Sequence, residues 1–364
     1  RRQCRISAGG VKGMTLCRHF GICGGCTLQD MPPDAYRRHK QALVENALAR
    51  AGLDRSRVSE PVISPEKSRR RAVFKFGKQK GEVMVGFHAA RSHVVVDMQE
   101  CLVLTPSLRN FTDMLRQAMA PILAEGEKAE IHVSETATGL DLAFRSPRKL
   151  TPALTANMAK AFLEADIARI IFNGETLLER TKPEIAFDGI AVTLPPRAFL
   201  QATREGEAAL QARVAEMTKN AKTIVDLFAG IGTFSLPLAR RAKIHAVEQD
   251  RDALAALADA ARKAIGLKPV TAEKRDLFKT PLTVLELNRF DAAVLDPPRA
   301  GAEAQVKLLA ASKILRIAYV SCDASSFARD AAILVKAGFK IGDVTPVDQF
   351  LYSDHVELVA GFTR

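Results

Sequence analysis

From Pro195 to the C-terminus, short apolar runs alternate with stretches of helical periodicity, and few folds accommodate that rhythm. KTIVDLF is followed by SLPLARRA, KIHAVEQ by RDALAALADAARKAIG, DAAVLDPP by AEAQVKLLAAS, and RIAYVSC by SFARDAAILVKAG, with PVTAEKRD as a further strand. Alternation of this kind predicts a parallel sheet covered by helices on both faces. The last two runs, KIGDVTPV and HVELVAGF, have no full helix between them and predict a closing antiparallel pair, so the sheet is expected to be mixed but mostly parallel. Residues before Pro195 have another texture. PPDAYRRHKQALVENALARAGL reads as a helix stopping at Gly52. VMVGF, HVVVDM, EIHVSE and ARIIFN then read as short strands, interrupted by one helix from Thr151 to Ala165, which predicts an α+β unit.

The 364 residues, 47% of them hydrophobic, suffice for two domains with real cores. No apolar run approaches the length of a membrane span, and RRQCRISAGG lacks the apolar core of a signal peptide, so a cytoplasmic setting with reduced thiols is expected. Three of six cysteines fall within CRHFGICGGC, from Cys17 to Cys26. In a reducing compartment such clustering points to metal binding or catalysis rather than to disulfides. The net charge of +12 favours a polyanionic partner. Between Lys67 and Arg91 the only acid is Glu82, and Lys75 and Lys78 interleave with Phe74 and Phe76. Cations and ring faces are therefore expected on a strand surface that tracks a sugar-phosphate backbone, the alternative being a strand edge guarded by lysines.

TIVDLF runs directly into AGIGTF, where Gly230 and Gly232 let the backbone approach a ligand and Ser235 stands in the place of a third small residue. Glu248 ends the next strand, placed to accept ribose hydroxyls, and Asp276 follows the third, placed for an adenine amino group. Together they predict an adenosine-containing cofactor. In LDPPRAG two prolines hold Asp296 at the carboxyl edge of the sheet. RIAYVSC delivers Cys322 to the same edge, ahead of a helix beginning near Ser325 whose N-terminus is expected to lower the thiol pKa. In SDHVELV, period-two alternation places His355 and Glu357 on one face of a strand.

With CRHFGICGGCTLQ, ECLVL, FLQATREGE, VDLFAGIGTFSLPLA, AVEQD, DPPRAG, YVSCDASSFARD and the terminal HVE in this order, the chain resembles the bacterial RNA uracil-5-methyltransferases, in their iron-sulfur 23S rRNA branch. The resemblance implies a class I (Rossmann-like) methyltransferase domain over 195–364, a central α+β RNA-binding domain over 31–194, and an iron-sulfur segment over 1–30. It implies that Cys17, Cys23, Cys26 and Cys101 ligate a [4Fe-4S] cluster, where spacing alone would also admit zinc; Cys4 has no counterpart. It implies S-adenosyl-L-methionine as cofactor, bound by Gln201, Phe228, Gly230, Thr233, Glu248, Asp276 and Asp296. Cys322 matches the nucleophile and Glu357 the general base, with Asp296 also orienting an extruded uracil; the product would be 5-methyluridine. RNA is the implied partner, with no membrane and no obligate protein partner. The family usually continues its nucleophile motif as SCNP; here Asp323 and Ala324 are expected to loosen the turn and add negative charge beside the thiol. QFLYSD stands where an aromatic and a proline are common. The stretch before Cys17 is too short for the β-barrel RNA-binding domain of many relatives, which shifts the expected RNA contact to the central unit. The competing readings are a tRNA methyltransferase, a non-catalytic RNA-binding module, against which Cys322 and Glu357 speak, and an NAD-linked iron-sulfur oxidoreductase, which leaves DPPRAG and YVSC without a role.

Overall fold

The computed structural model describes residues 16–163 and 165–364; Cys4 lies outside them. Helix α1 (Pro33–Arg50) and strand β1 (Val62–Ile63) come first. They are followed by β2 (Arg71–Gln79), β3 (Glu82–His88), β4 (Val95–Asp97), α2 (Pro106–Met119), β5 (Lys128–Thr136), β6 (Gly139–Arg145), α3 (Pro152–Ala161), β7 (Ile167–Phe172), β8 (Glu175–Glu179), β9 (Glu184–Phe187) and β10 (Ile190–Thr193). The alternating half contributes α4 (Arg204–Met217), β11 (Thr223–Leu227), α5 (Ser235–Ala239), β12 (Lys243–Glu248), α6 (Arg251–Lys263), β13 (Val270–Lys274) and α7 (Val284–Leu287). It closes with β14 (Ala292–Leu295), α8 (Glu303–Ala311), β15 (Arg316–Ser321), α9 (Ala324–Lys336), β16 (Lys340–Asp348) and β17 (Glu357–Thr363).

Among the described residues the larger sheet has the order β1-β16-β17-β15-β14-β11-β12-β13. Strands β11 to β15 pair in parallel, while β17 runs antiparallel to both β15 and β16. The expected closing pair is therefore present. Strands β14 and β15 and the apolar positions of β11 are buried because helices cover both faces of the sheet, which is why these strands read as continuous apolar runs. One face packs α1, α8 and α9 through Leu48, Leu309 and Phe327; the other packs α4, α5 and α6 through Leu210, Leu238 and Leu257. The chain moves outward from β11 to β12 and β13, then crosses back to β14, so the order reverses between β11 and β14. Such a reversal opens a crevice at the carboxyl ends of the strands.

The smaller sheet has the order β4-β3-β2-β5-β6-β7-β8, with α2 and α3 packed on one face through Phe111, Leu115 and Met158. Phe74 and Phe76 are buried in that core. The expected surface of interleaved rings and cations does not form, because alternation along β2 sends both rings inward and Lys75 to the opposite face. Lys78 instead donates to the carbonyl of Ala120 at the end of α2, 2.7 Å away. A second difference concerns residues 33–63, grouped by sequence texture with the central unit. Val44 and Leu48 of α1 pack into the core of the larger sheet, and β1 pairs with β16.

The two sheets are joined by a buried ion pair. Arg70, just before β2, donates to Glu207 of α4 at 2.5 Å and to the carbonyl of Gln201 at 3.2 Å. Removing one member of a buried pair strands the other without compensation. Glu207→Ala should lower stability by about 3–5 kcal/mol, read as a fall in the urea unfolding midpoint.

Candidate active site

Strand β11 ends in a left-handed turn, with Phe228 at φ 65° and Gly230 at φ 54°. Both conformations are unfavourable for most residues, and at Phe228 the turn is held by its N–H bonded to the carbonyl of Val247 at 3.0 Å. A side chain at Gly230 would meet nothing within 4 Å, so the turn faces open space over the crevice. Glu248, at the end of β12, accepts from the N–H of Gly230 at 2.9 Å and from those of Gln249 and Asp250 at 2.7 and 2.8 Å. Asp276 accepts from the N–H groups of Phe278 and Lys279. The rings of Phe228 and Phe278 lie 5.4 Å apart, bringing the first and third strand ends together. Thr233 stays half-buried and its carbonyl accepts from Gln211 at 2.9 Å.

Asp296 follows β14 directly. Gln201 donates to it at 3.3 Å, and Gln349 in turn donates to Gln201 at 2.8 Å. The loop after Asp296 is held by α9: Asp330, fully buried, accepts from the N–H of Ala302 at 2.7 Å and from the Tyr319 hydroxyl at 2.6 Å. Gly301, at φ 76°, leaves room for that contact, since a Cβ there would lie 2.7 Å from an Asp330 carboxylate oxygen. Cys322 is half-buried at the end of β15, and Glu357, at the start of β17, is 3% exposed. Because β15 and β17 are antiparallel neighbours, the end of one meets the beginning of the other. Burial raises the pKa of Glu357 and of Asp296, and Asp296 adds to the rise at Glu357, since two carboxylates sharing one dry site resist double ionisation.

The Cys322 thiol is pushed up to about 11, first by burial, then by Glu357 and Asp296; a bond from its own backbone N–H and the nearby Arg299 oppose this. This corrects the expectation of a thiol lowered by the helix. The first free amides of α9 are already used: Asp323 is the N-cap and accepts from Ser325 at 3.0 Å and Ser326 at 2.8 Å. The same bonds correct the expectation that Asp323 loosens the turn. His355 is also displaced from its expected place, lying in the loop before β17 rather than on the strand.

The family model described as tRNA (uracil-5-)-methyltransferase matches residues 169–362. The chain belongs to this RNA (uracil-5-)-methyltransferase family. It is 46% identical over 350 residues to an uncharacterized RNA methyltransferase of Rhizobium meliloti, covering 94% of this chain and 84% of the relative. It is 31% identical to the 23S rRNA (uracil(1939)-C(5))-methyltransferase of Chromohalobacter salexigens, covering 99% of this chain and 78% of that one. The crystal structure of Pyrococcus abyssi tRNA (uracil-54, C5)-methyltransferase in complex with S-adenosyl-L-homocysteine shares the fold, with a TM-score of 0.73 at 22% identity over 94% of this chain and 85% of that one.

In this member of the uracil-5-methyltransferase family, Cys17, Cys23, Cys26 and Cys101 line one cavity of about 160 Å³, together with His19 and Arg69. The loop is stitched in place by the N–H of Gly24 on the carbonyl of His88 and by the N–H groups of Thr27 and Leu28 on the carbonyl of Tyr352. Burial raises Cys101 and Cys17 and pushes Cys26 up to about 12. Among the described residues no three His, Cys, Asp or Glu side chains are gathered tightly enough to hold a single metal ion. The four cysteines are thus brought to one cavity but not into a compact single-ion set.

Two residues of the crevice escaped the sequence reasoning. Asp226 of β11 is fully buried; one oxygen accepts from Ser235 at 2.6 Å, the other has no partner, and burial pushes its pKa up to about 7. Ser235, in the place of a third small residue, supports that acid. The signal was an acid inside the apolar run TIVDLF. Gln349 carried no comparable signal. Alkylation of Cys322 by iodoacetamide, followed on its own peptide by mass spectrometry, should be slow at neutral pH and rise towards pH 11. Glu357→Gln should move that profile to lower pH, because the charge that Glu357 acquires on ionising opposes the thiolate.

Proposed function

We propose that the chain methylates C5 of uridine in 23S rRNA, with Cys322 as nucleophile, Glu357 as general base and S-adenosyl-L-methionine as methyl donor. The observation that supports this most is the meeting of Cys322, Glu357 and Asp296 at one carboxyl edge, beside the Gly230 turn. The crevice fits the donor. Glu248 and Asp276 offer acceptors to ribose and adenine, Phe228 and Phe278 offer ring faces, and the unpartnered oxygen of Asp226, with Asp296 beyond it, suits a cationic ligand. Gln201, Gly230 and Thr233 complete the binding set. When bound, the cofactor supplies an electrophilic methyl group.

C5 of uracil is a weak carbon nucleophile. Cys322 gives up its thiol proton to water and its sulfur adds to C6, the C5–C6 electron pair moves towards the O4 carbonyl as an enolate, and C5 becomes able to take the methyl. Glu357 then removes the C5 proton, the C5–C6 double bond reforms and the sulfur is expelled. A carboxyl raised by burial is a stronger base than an exposed one, which matches it to this step near neutral pH. The chemistry requires a base turned out of its stack, and we assign Asp296 to orient it.

The RNA reading is supported by a cavity of about 510 Å³ on the smaller sheet, bordered by Lys75, Lys128, Arg145, His88 and His93 with Glu130 as the opposing charge. No helix among the described residues is long and apolar enough to cross a membrane. The 31% identity to a 23S rRNA enzyme across 99% of this chain favours rRNA over tRNA. Cys17, Cys23, Cys26 and Cys101 share one cavity and offer the four thiolates that an iron-sulfur cluster takes, and the family resemblance favours iron-sulfur over zinc. We assign the cavity to a [4Fe-4S] cluster that ties the 17–31 loop to the central sheet.

Purified protein should transfer labelled methyl to unmodified large-subunit rRNA; labelling of tRNA alone would overturn the rRNA assignment. Cys322→Ala should abolish covalent trapping on 5-fluorouridine RNA, and trapping that survives would place the nucleophile elsewhere. Glu357→Gln should leave the methylated adduct in place on ordinary RNA, visible as a protein band shifted on a denaturing gel. Anaerobically purified protein should contain iron and sulfide with visible absorption lost in Cys101→Ser, whereas zinc without iron would remove the cluster assignment.

A further inference from the structure

Lys40 of α1 and its partner Asp348 are both wholly buried, 2.9 Å apart. A lysine ammonium has three protons to place, and burial makes each unplaced one costly. Besides Asp348, the Lys40 ammonium donates to the carbonyls of Ser353 and His355, each at 2.6 Å, with the carbonyl of Phe350 at 3.5 Å. All three carbonyls belong to the loop between β16 and β17. Tyr36, one turn earlier on α1, donates to the other oxygen of Asp348 and accepts from the N–H of Tyr352 at 2.8 Å. Asp348 also accepts from the N–H of Phe350 at 3.1 Å. The loop therefore has four backbone groups bound by two side chains of one helix turn, and Glu357 begins two residues after the last of them.

We propose that Lys40, with Tyr36 and Asp348, is a positioning group that fixes the 349–356 loop so that Glu357 meets the proton on C5. Nothing else among the described contacts holds the carbonyls of Ser353 and His355. A flexible four-carbon stem would be a poor choice for plain packing at 0% exposure, where an apolar residue of similar volume carries no desolvation cost. The arrangement serves direction instead: three donors diverge from one atom onto three parts of a bend. The inference rests on Glu357 being the base, and concerns only the second half of the reaction.

The test uses the full chain and substrate RNA in single turnover, measuring methyl transfer and adduct resolution separately for wild type, Lys40→Met, Tyr36→Phe and Glu357→Gln. Lys40→Met should keep methyl transfer and cofactor affinity while slowing resolution by about 10- to 100-fold, as expected for a reacting group misplaced by about an ångström. Tyr36→Phe, the milder change, should show a smaller stall of the same kind and keeps the test available if Lys40→Met does not fold. Normal resolution in both variants, while Glu357→Gln stalls, would overturn the positioning role alone. Equal losses in transfer and resolution would reduce Lys40 to a stability residue and overturn it too. Normal resolution in Glu357→Gln would remove the base assignment and this inference with it.

Discussion

Parallel strand pairing is the constraint from which the site follows. Because β11, β12, β14 and β15 run the same way, everything the chain places after a strand emerges at one edge, and the reversal of order between β11 and β14 leaves a gap there. Phe228, Glu248, Asp296 and Cys322 are far apart in sequence and become neighbours for that reason alone. Only Glu357 arrives from the opposite direction, on β17, and it does so because the final hairpin inserts antiparallel beside β15. Acid and thiol are thus set against one another by the one break in the sheet's uniform sense.

That meeting has an electrostatic cost which nearby cations offset only in part, Arg299 at the Cys322 thiol and Arg71 at the Glu357 carboxyl. Burial displaces Asp226, Asp296, Glu357 and Cys322 towards their neutral forms, and neighbouring carboxylates add to it: Glu248 at Asp226, Asp226 at Asp296, Asp296 at Glu357, and Glu357 with Asp296 at Cys322. Arg71 is close enough to act on Glu357, yet burial depresses it as well, to about 10, and its guanidinium lies over the ring of Phe199 at 4.6 Å. A crevice of this kind is incomplete by itself and is matched to a ligand that brings positive charge and a substrate that excludes water.

Much of this was legible beforehand, and the reasons for the misses are physical. Alternation of strand and helix named the larger sheet, its mixed edge and the residues at its carboxyl end, because buried parallel strands must be apolar and their exits must be polar or small. Spacing named three of the cysteines that share a cavity, and the family resemblance added Cys101. What spacing does not carry is competition for hydrogen bonds: the amides expected to favour the Cys322 thiolate are taken by Asp323, and the hydroxyl of Ser235 is taken by Asp226. Nor does a run of residues announce which sheet a helix joins. The helix at Pro33–Arg50 precedes the smaller sheet in the chain but packs on the larger one, since its partners α9 and β16 lie near the other terminus. On β2, counting in twos would have separated Phe74 and Phe76 from Lys75.

The bond between Lys40 and Asp348 spans 308 residues. During synthesis the lysine on the inward face of α1 is therefore made 308 residues before the carboxylate that receives it. Contacts of such separation are slow to form, because the ends of the loop must be brought together before any of them stabilises the fold. The clasp between α1 and the β16–β17 hairpin is thus slow to form, and a chain truncated before β16 would leave that helix with a charge meant for the interior and nowhere to hide it.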